Sequence, residues 1–289
     1  MSAPPRLPDW ARKAGPLARG ARGLRVLLRE KSLHTVCEEA RCPNLGECFT
    51  RGTATFMLLG DRCTRRCAYC SVSTARPLPP DPGEPGRVAE AARRLGLRYV
   101  VLTSVDRDDL ADGGAAHFAA TVRAVRRARP GAGVEVLTPD FRGDRAALRV
   151  VLESAPDVFN HNIETVPRLF PRLRPQGRYP LSLDVLAGAK AIRPDRLTKS
   201  GLMVGLGETD EEVVRVLEDL RAAGVDIVTT GQYLRPTRDH EPVRRYVPPS
   251  AFRAYEEQAR AMGFPTVHSG VFVRSSFSAE EVYRAGGLR

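Results

Sequence analysis

Six cysteines are the residues of this chain best suited to chemistry, and all of them fall between positions 37 and 70. Thiolates so close in sequence suit a soft metal ion or an iron–sulfur cluster. They form two triplets, C-x4-C-x5-C and then C-x3-C-x2-C: Cys37, Cys42 and Cys48, followed by Cys63, Cys67 and Cys70. Structural zinc takes four protein ligands, whereas a cluster held by three cysteines leaves one iron free. The odd number in each group therefore favours two iron–sulfur clusters over zinc.

The composition makes disulfide bonds the weakest alternative. A chain of 289 residues with 42% hydrophobic content can bury a sizeable hydrophobic core without disulfide bonds, as one large domain or two small ones. No apolar run is long enough to span a membrane. The net charge of +11 favours an acidic partner, either protein or nucleic acid. Only four of the 45 basic residues are lysines, so a solvated, arginine-rich surface is the alternative.

The first 29 residues are basic, with Asp9 as the single acid. They resemble a transit peptide only faintly, because they are poor in serine and lack a secretory apolar core. We expect a plain basic extension and a cytoplasmic protein, since a reducing compartment fits clustered thiols. Organelle targeting is the alternative.

Strand-like apolar runs alternate with helical patterns through the middle of the chain. The predicted strands are 55–59, 99–103, 134–138, 158–161, 201–204 and 227–230, and the helices between them are 87–95, 115–128, 145–153, 181–192 and 211–223. This alternation indicates a parallel α/β sheet with right-handed crossovers. Six βα units predict a partial (β/α)6 TIM-like barrel, with a doubly wound open sheet as the alternative.

The predicted organisation has three parts. Residues 1–52 form an N-terminal extension that carries the first cysteine triplet. Residues 53–248 form the partial barrel. Residues 249–289 form a C-terminal helix, near 250–262, and a tail that we expect to cover the barrel mouth.

Polar side chains cluster at the ends of the predicted strands, where parallel barrels build active sites. Ser104 and Asp106 follow the second strand, and Asn162 and Glu164 follow the fourth. The acidic turn around Asp106 could equally be a helix cap. Lys199 enters the fifth strand in a chain that otherwise prefers arginine, which hints at a ligand contact. A lysine at a strand end is also ordinary.

The C-x3-C-x2-C loop after the first strand resembles the radical S-adenosylmethionine superfamily. Several further segments closely match the lipoyl synthase family in the same order, over roughly residues 31–278: 33–48, 103–114, 160–169, 199–209, 231–233 and 274–276. The resemblance implies a 4Fe–4S cluster whose free iron chelates the methionine part of S-adenosylmethionine. One electron then yields a 5′-deoxyadenosyl radical.

The resemblance also implies the reaction. Two radicals remove hydrogen at C6 and C8 of an octanoyl chain on a lysine of a lipoyl carrier protein. An auxiliary 4Fe–4S cluster gives its own sulfides to those carbons. The carrier would be an E2 lipoyl domain or the glycine-cleavage H protein, and ferredoxin or flavodoxin would supply electrons. Neither nucleic acid nor a membrane is an expected partner.

The residue roles follow from the same resemblance. Cys63, Cys67 and Cys70 would hold the radical-generating cluster, and Cys37, Cys42 and Cys48 the auxiliary one, with Ser276 as its fourth protein ligand. The contacts to S-adenosylmethionine would come from Ser104, Asp106, Asn162, Glu164 and Lys199. Phe277 stands where the family has a tyrosine, which removes a hydroxyl beside Ser276.

Three rival functions are less consistent with the sequence. An RNA methylthiotransferase would suit the positive charge, but it places its first triplet in a separate domain and usually adds a C-terminal RNA-binding barrel. Biotin synthase disperses its auxiliary ligands along the barrel, whereas no cysteine follows Cys70 here. A zinc-binding module without enzyme activity would be colourless, so a visible spectrum separates it.

Overall fold

The amino-terminal extension is mostly helical in the computed structural model, which describes residues 6–13, 21–50, 55–277 and 279–285. Its elements are a 3-10 turn Asp9–Ala11, helix α1 Ala21–Glu30, strand β1 His34–Thr35, helix α2 Val36–Glu39 and helix α3 Leu45–Thr50. Thr35 caps α2 by accepting a hydrogen bond from the Glu38 backbone N–H. The cysteines of the first triplet therefore lie on or beside short helices.

A sheet of eight strands forms the centre of the molecule. The strands after β1 are β2 Thr55–Leu58, the separate pair β3 Arg62–Cys63 and β4 Ser73–Thr74, β5 Tyr99–Ser104, β6 Gly133–Leu137, β7 Val158–Asn160, β8 Leu197–Val204, β9 Ile227–Gln232 and β10 Thr266–Gly270. The spatial order is β1-β2-β5-β6-β7-β8-β9-β10, with only β1 antiparallel to its neighbour. Since β1 and β10 are the two edges of this order, the barrel is open, as predicted.

Helices follow the strands as the alternating pattern predicts. They are α4 Glu84–Arg94, α5 Ala115–Ala128, α6 Arg145–Glu153, α7 Phe170–Leu173, α8 Tyr179–Ile192, α9 Asp210–Ala222, α10 Pro249–Ala261 and α11 Ala279–Ala285, with 3-10 turns at Phe141–Gly143 and Pro167–Leu169. Side chains mark their starts: Asp144 accepts from the Ala146 N–H, and Thr209 forms a capping box with Glu212. No helix in the described ranges has the length and apolar character needed to cross a membrane.

Strand β10 is the parallel strand that the sequence prediction missed. The short strands β1, β3 and β4 and the helices α1, α2, α3, α7 and α11 were not predicted either. The register of β10 places Thr266 beside Ile227 and Gly270 beside Gly231, parallel to β9. The run Thr266–Gly270 is half polar and ends in glycine, so it lacks the branched apolar pattern that identifies the other strands. Pairing with β9 supplies the stabilisation that the local sequence does not.

The extension shares the hydrophobic core of the barrel. Leu28 on α1 and Phe49 on α3 are each 1% exposed and pack in one cluster with Phe56 and Leu58 of β2. Burying such a side chain contributes about 1.5–3 kcal/mol. The first cysteine triplet is therefore held by the same core as the barrel strands.

The C-terminal segment passes both ends of the barrel. Helix α11 lies at the end where the strands begin, because the Tyr283 ring packs 5.1 Å from that of Tyr99 and Glu280 pairs with Arg98 at 3.0 Å. Residues 274–276 instead line a cavity at the carboxyl ends of the strands. Helix α11 thus lies opposite the mouth that the tail is expected to cover.

A buried ion pair occupies the barrel interior below that mouth. Lys199 of β8 and Glu135 of β6 are each 1% exposed, and the lysine Nζ lies 3.0 and 3.1 Å from the two carboxylate oxygens. Glu135 also accepts hydrogen bonds from Asn160 and from the Tyr99 hydroxyl, both at 2.9 Å. Four strands are thereby joined through one carboxylate.

Breaking this pair on one side should destabilise the protein strongly. Lys199→Met leaves the Glu135 charge buried without its partner, which typically costs about 3–5 kcal/mol. The double variant Lys199→Met/Glu135→Gln removes both charges and should recover much of that loss. Urea denaturation followed by circular dichroism measures both values.

Arg260→Met is the control. Arg260 pairs with Glu256 at 2.7 Å on the exposed face of α10, with side chains 56% and 32% exposed, and exposed pairs of this kind contribute about 0–1 kcal/mol. Equal losses for Lys199→Met and Arg260→Met would contradict the role given to the buried pair.

Candidate active site

A cavity of about 410 Å³ opens where the parallel strands end. This volume is within the usual range for small-molecule sites. Residues predicted from the sequence line it: Cys37, Cys42, Cys63, Cys67, Cys70, Ser104, Asp106, Asn162, Glu164 and Ser276. Five of the six cysteines thus face one space at the mouth of the barrel.

The loop that carries the second triplet is fixed by backbone contacts to the barrel. The Thr64 N–H donates to the Asp106 carbonyl at 3.0 Å, and the Ala68 N–H donates to the Leu173 carbonyl at 2.9 Å. The Arg65 N–H donates to Cys63 Sγ at 3.4 Å. Such N–H contacts to sulfur stabilise a thiolate and tune a cluster bound to it.

Arg65 ties this loop to two strand ends at once. Its guanidinium, 4% exposed, donates two hydrogen bonds to Asp108 at 2.7 and 2.8 Å and two to Asp140 at 2.6 and 2.7 Å. Its Nε also lies 3.4 Å from Asp106. Burial alone would raise the pKa of Asp140, but the hydrogen bonds from Arg65 lower it to about 2. Bidentate pairs of this kind confer orientation as well as energy.

Among the described residues that line the cavity, three buried oxygens have no hydrogen-bond partner: Ser104 Oγ, Asn162 Oδ1 and Asp106 Oδ1. The last of these has only the ion pair with Arg65 at 3.4 Å. Burial raises the pKa of Asp106 to about 6, against the opposing charges of Arg65 and Arg174. Buried polar atoms in native proteins are normally paired. These three are therefore available to a bound polar ligand.

The end of β7 is held in an uncommon backbone conformation. Glu164 has φ +68°, in the left-handed region that non-glycine residues rarely adopt. Asn162 donates to Glu164 at 3.1 Å and to the Ser275 hydroxyl at 3.2 Å. Burial raises the pKa of Glu164. Asn162 thus connects the strand end with the C-terminal tail.

Four thiols of the cavity, those of Cys37, Cys63, Cys67 and Cys70, favour the protonated form when nothing is bound to them. Burial raises the pKa of Cys63 to about 11 and the pKa values of Cys37 and Cys70 to about 12, and it also raises the pKa of Cys67. Metal binding must therefore release protons from these groups. Among the described residues, no three His, Cys, Asp or Glu side chains are gathered as a single metal ion would need.

A second, smaller pocket adjoins the first and contains the whole first triplet. Its lining comprises Cys37, Cys42, Asn44, Cys48, Thr55, Arg274, Ser276 and Phe277. The Cys42 N–H donates to the Cys37 carbonyl at 3.0 Å, and the Cys48 N–H to that of Asn44 at 2.9 Å. Ser276 joins three cysteines that precede it by more than 200 residues. Three sulfur donors and the Ser276 hydroxyl thus face one pocket, together with the Thr55 hydroxyl and the Asn44 amide.

Gly231 allows the tail to reach this position. A Cβ on Gly231 would lie 2.1 Å from the Val273 carbonyl oxygen, closer than any side chain tolerates. The Val273 N–H donates to the Gly270 carbonyl at 3.1 Å, which sets the turn after β10. Glycine has no Cβ, so at position 231 it lets the backbone of the tail at Val273 cross this close to the end of β9.

Lys199 does not reach either pocket. It is buried in the barrel interior with its Nζ held by Glu135. The predicted ligand contact is therefore corrected to a buried ion pair, because the strand enters the barrel well below its mouth. His161 lines the cavity, with Nδ1 2.9 Å from the Thr138 carbonyl and Nε2 3.0 Å from the Ser182 hydroxyl. Burial lowers its pKa to about 4, so the ring is neutral.

Five arginines line the cavity, and none of them was a predicted site residue: Arg41, Arg65, Arg174, Arg235 and Arg274. Against the effect of burial, Arg65 and Arg174 lower the pKa of Asp106, and Arg174 and Arg274 lower that of Glu164. The Arg174 guanidinium donates to the Asn162 carbonyl at 3.1 Å. In a chain so rich in arginine, residue type alone could not distinguish these residues. The usable signals were the position of Arg65 inside the C-x3-C loop and that of Arg274 in the matched segment 274–276.

Two family models match the chain. The model of the Radical SAM superfamily matches residues 57–231. The model of the N-terminal domain of lipoyl synthase of the Radical SAM family matches residues 2–42. Together they cover the barrel from β2 nearly to the end of β9 and the extension as far as Cys42.

Curated relatives match over nearly the whole chain. Lipoyl synthase of Rubrobacter xylanophilus is 57% identical over 274 residues, covering 95% of this chain and 85% of the relative. Lipoyl synthase of Thermus thermophilus is 56% identical over 278 residues, covering 96% and 86%. Matches of this extent take in the extension as well as the barrel.

Solved structures share the fold at low sequence identity. Methylornithine synthase has a TM-score of 0.54 and 18% identity, covering 78% of this chain and 67% of that one. The FeFe-hydrogenase maturase HydG from Carboxydothermus hydrogenoformans has a TM-score of 0.62 and 14% identity, covering 80% and 56%. The partial barrel is thus an architecture that these proteins share.

Gly231→Ala should displace the tail and destabilise the protein. Overpacking at a closely packed position costs about 1–3 kcal/mol, which lowers the melting temperature of a chain this long by roughly 2–10 °C. Gly86→Ala is the control, because Gly86 lies in α4 and a Cβ added there would meet no atom within 4 Å. That change should stabilise by about 0.5–1 kcal/mol. Thermal unfolding followed by circular dichroism decides, and a melting temperature for Gly231→Ala at or above the native value would contradict the close crossing.

Proposed function

Because this chain belongs to the lipoyl synthase family of the radical S-adenosylmethionine superfamily, we propose that its two adjoining pockets act together in sulfur insertion. The reaction places two sulfur atoms at C6 and C8 of an octanoyl chain carried on a protein lysine. The observation that carries the proposal is the placement of both cysteine triplets and Ser276 around one barrel mouth.

The residues present fit two iron–sulfur clusters. Each triplet lines a pocket as free thiols, and no disulfide withdraws any of the six. Cys63, Cys67 and Cys70 would hold the cluster that binds S-adenosylmethionine. Cys37, Cys42, Cys48 and Ser276 would hold the auxiliary one. When bound, the first cluster supplies the electron that releases a 5′-deoxyadenosyl radical, and the second supplies sulfide.

The unpaired oxygens of the cavity orient the cofactor. Ser104 and Asp106 lie next to the cysteine loop and would accept hydrogen bonds from the methionine ammonium group. Asn162 and Glu164 lie at the end of β7 and would receive the ribose hydroxyls and the rest of the methionine part. Burial raises the pKa values of Asp106 and Glu164, and a bound ammonium would lower them by favouring the carboxylate forms.

Apolar side chains in the same cavity receive the acyl chain and exclude water. Met57, Leu137 and Met203 line the wall between the polar groups. An octanoyl chain buries well against such residues, because each methylene removed from water contributes about 0.8 kcal/mol. An apolar cavity wall that excludes water also protects a carbon radical from side reactions.

The site requires one oxygen ligand that arrives with the tail. Ser276 would bind the auxiliary cluster through its hydroxyl oxygen, while Ser275 accepts a hydrogen bond from Asn162. Thiolates are the soft ligands that iron–sulfur clusters prefer. A serine oxygen is the weaker ligand, which suits a cluster that must open to give up sulfur.

The chain acts on an octanoylated lipoyl carrier protein, and we assign the finer partners from the family resemblance. The carrier would be an E2 lipoyl domain or the glycine-cleavage H protein, and ferredoxin or flavodoxin would deliver electrons in the cytoplasm. The net charge of +11 steers acidic partners toward the surface.

Reconstitution under anaerobic conditions tests the function. The chain should convert octanoylated E2 lipoyl domain or octanoylated H protein to the lipoylated form, with formation of 5′-deoxyadenosine. Replacing Cys63, Cys67 and Cys70 by alanine should halve the bound iron and abolish S-adenosylmethionine cleavage. Replacing Cys37, Cys42 and Cys48 should also halve the iron, yet leave 5′-deoxyadenosine formation and remove the lipoyl product. Stoichiometric zinc without iron, or sulfur insertion by the second variant, would refute the assignment.

Ser276→Cys should separate radical formation from sulfur insertion. A thiolate in place of the alkoxide binds iron more firmly, so the auxiliary cluster should form but resist opening. We expect the ratio of lipoyl product to 5′-deoxyadenosine to fall about 10–100-fold, the scale of altered contacts at metal sites. Ser275→Ala is the matched control and should have a much smaller effect. Full product formation by Ser276→Ala would show that Ser276 is not a ligand.

A further inference from the structure

We propose that Lys13 is a positioning residue that clamps the Ser276 tail against the loop of the first cysteine triplet. The inference rests on the assignment of Ser276 and the triplet to the auxiliary cluster. Lys13 contacts groups on both segments through a single ammonium group, and it belongs to neither of them.

The contacts to the cysteine loop are polar. Lys13 Nζ donates to Asn44 Oδ1 at 2.5 Å and lies 2.7 Å from Glu47 Oε2. Asn44 follows Cys42 by two residues, and Glu47 immediately precedes Cys48. The lysine side chain is 23% exposed and that of Glu47 is 31% exposed. Lys13 therefore restrains the loop between two of the three cysteines.

The contacts to the tail are aromatic. Lys13 Nζ lies 5.1 Å from the ring centroid of Phe272 and 5.1 Å from that of Phe277. Both distances are within the range of cation–π interactions. The two rings lie on either side of residues 273–276, so the ammonium group spans the segment that presents Ser276.

Asn44 links Lys13 to the tail by a second route. Its side-chain N–H donates to the Phe272 carbonyl at 2.7 Å, and the residue is fully buried. The orientation of its amide is set by Lys13, because the ammonium group needs the oxygen and the carbonyl needs the N–H. Loss of Lys13 would deprive a buried oxygen of this donor, which disfavours the clamped arrangement.

A lysine suits this position better than an arginine. An ammonium group is compact and can direct its three donors toward separate partners, whereas a guanidinium is planar and prefers a bidentate partner. Lys13 is one of only four lysines in this arginine-rich chain. The clamp needs the face of the ring at position 277 and not a hydroxyl, which is consistent with Phe277 in place of the tyrosine of the family pattern.

Hydrogen exchange of the metal-free full chain tests the clamp without any activity measurement. In Lys13→Gln, amide protection of residues 272–277 and 42–48 should fall about 5–30-fold, the ratio that one or two kcal/mol produces. Lys31→Gln is the matched control and should leave these segments within about twofold of the native chain. Lys13→Arg should restore part of the protection, because it keeps the charge.

The product yields of the reconstituted Lys13→Gln enzyme provide a second test. Lys13→Gln should form 5′-deoxyadenosine at close to the native rate, because the second triplet is untouched. Its yield of lipoyl product per 5′-deoxyadenosine should fall about tenfold, in line with the lost protection. A positional role predicts this uncoupling, whereas general instability would lower both products together.

The possible outcomes separate the clamp from the proposed function. Native protection of both segments in Lys13→Gln would overturn the clamp, whatever the enzyme does. Loss of protection in that variant, with no lipoyl product from the native chain, would support the clamp and refute the function. If Lys13→Gln loses protection throughout the chain, Phe277→Leu and Phe277→Tyr decide. The clamp requires the tail to lose protection with leucine and keep it with tyrosine, and equal behaviour of the two would overturn it.

Discussion

The buried guanidinium of Arg65 is the interaction on which the rest of the site depends. It lies between Cys63 and Cys67 and joins their loop to Asp108 after β5 and to Asp140 after β6. A buried ion pair adds little net stability, but removing one partner is costly. The arrangement therefore fixes geometry more than it adds stability. With the loop held, Ser104, Asp106 and Asn162 keep their unpaired oxygens directed into the same cavity.

The barrel separates its charges into two levels. Lys199 and Glu135 neutralise each other deep inside, where the strands begin. At the mouth, five arginines line the cavity, and the carboxylates near them are Asp106, Glu164 and the two partners of Arg65, which are Asp108 and Asp140. Each thiol that gains a metal bond loses a proton and adds negative charge. The arginines that line the cavity would therefore offset part of the negative charge of bound thiolates.

The sequence was sufficient for six of the parallel strands and for the helices between them, and insufficient for contacts set by tertiary structure. Helices α5 and α6 match their predicted bounds because their apolar periodicity is clear, and in α6 the Asp144 cap agrees with it. Strand β10 and the position of Lys199 depend on register within the sheet, which no short segment encodes. The roles of Arg65 and Lys13 depend on partners distant in sequence, and arginine is too common in this chain for its type to be informative.

The long separation between the first triplet and Ser276 has a consequence during synthesis. Ribosomes add about 5–20 residues per second, so the cysteines precede the serine by roughly 10–50 s. During that interval the nascent polypeptide has the three thiols of the second pocket but lacks Ser276. Strands β9 and β10, which guide the tail past Gly231, also emerge late. With the ligand set that we propose, the auxiliary centre is complete only after translation has passed the barrel.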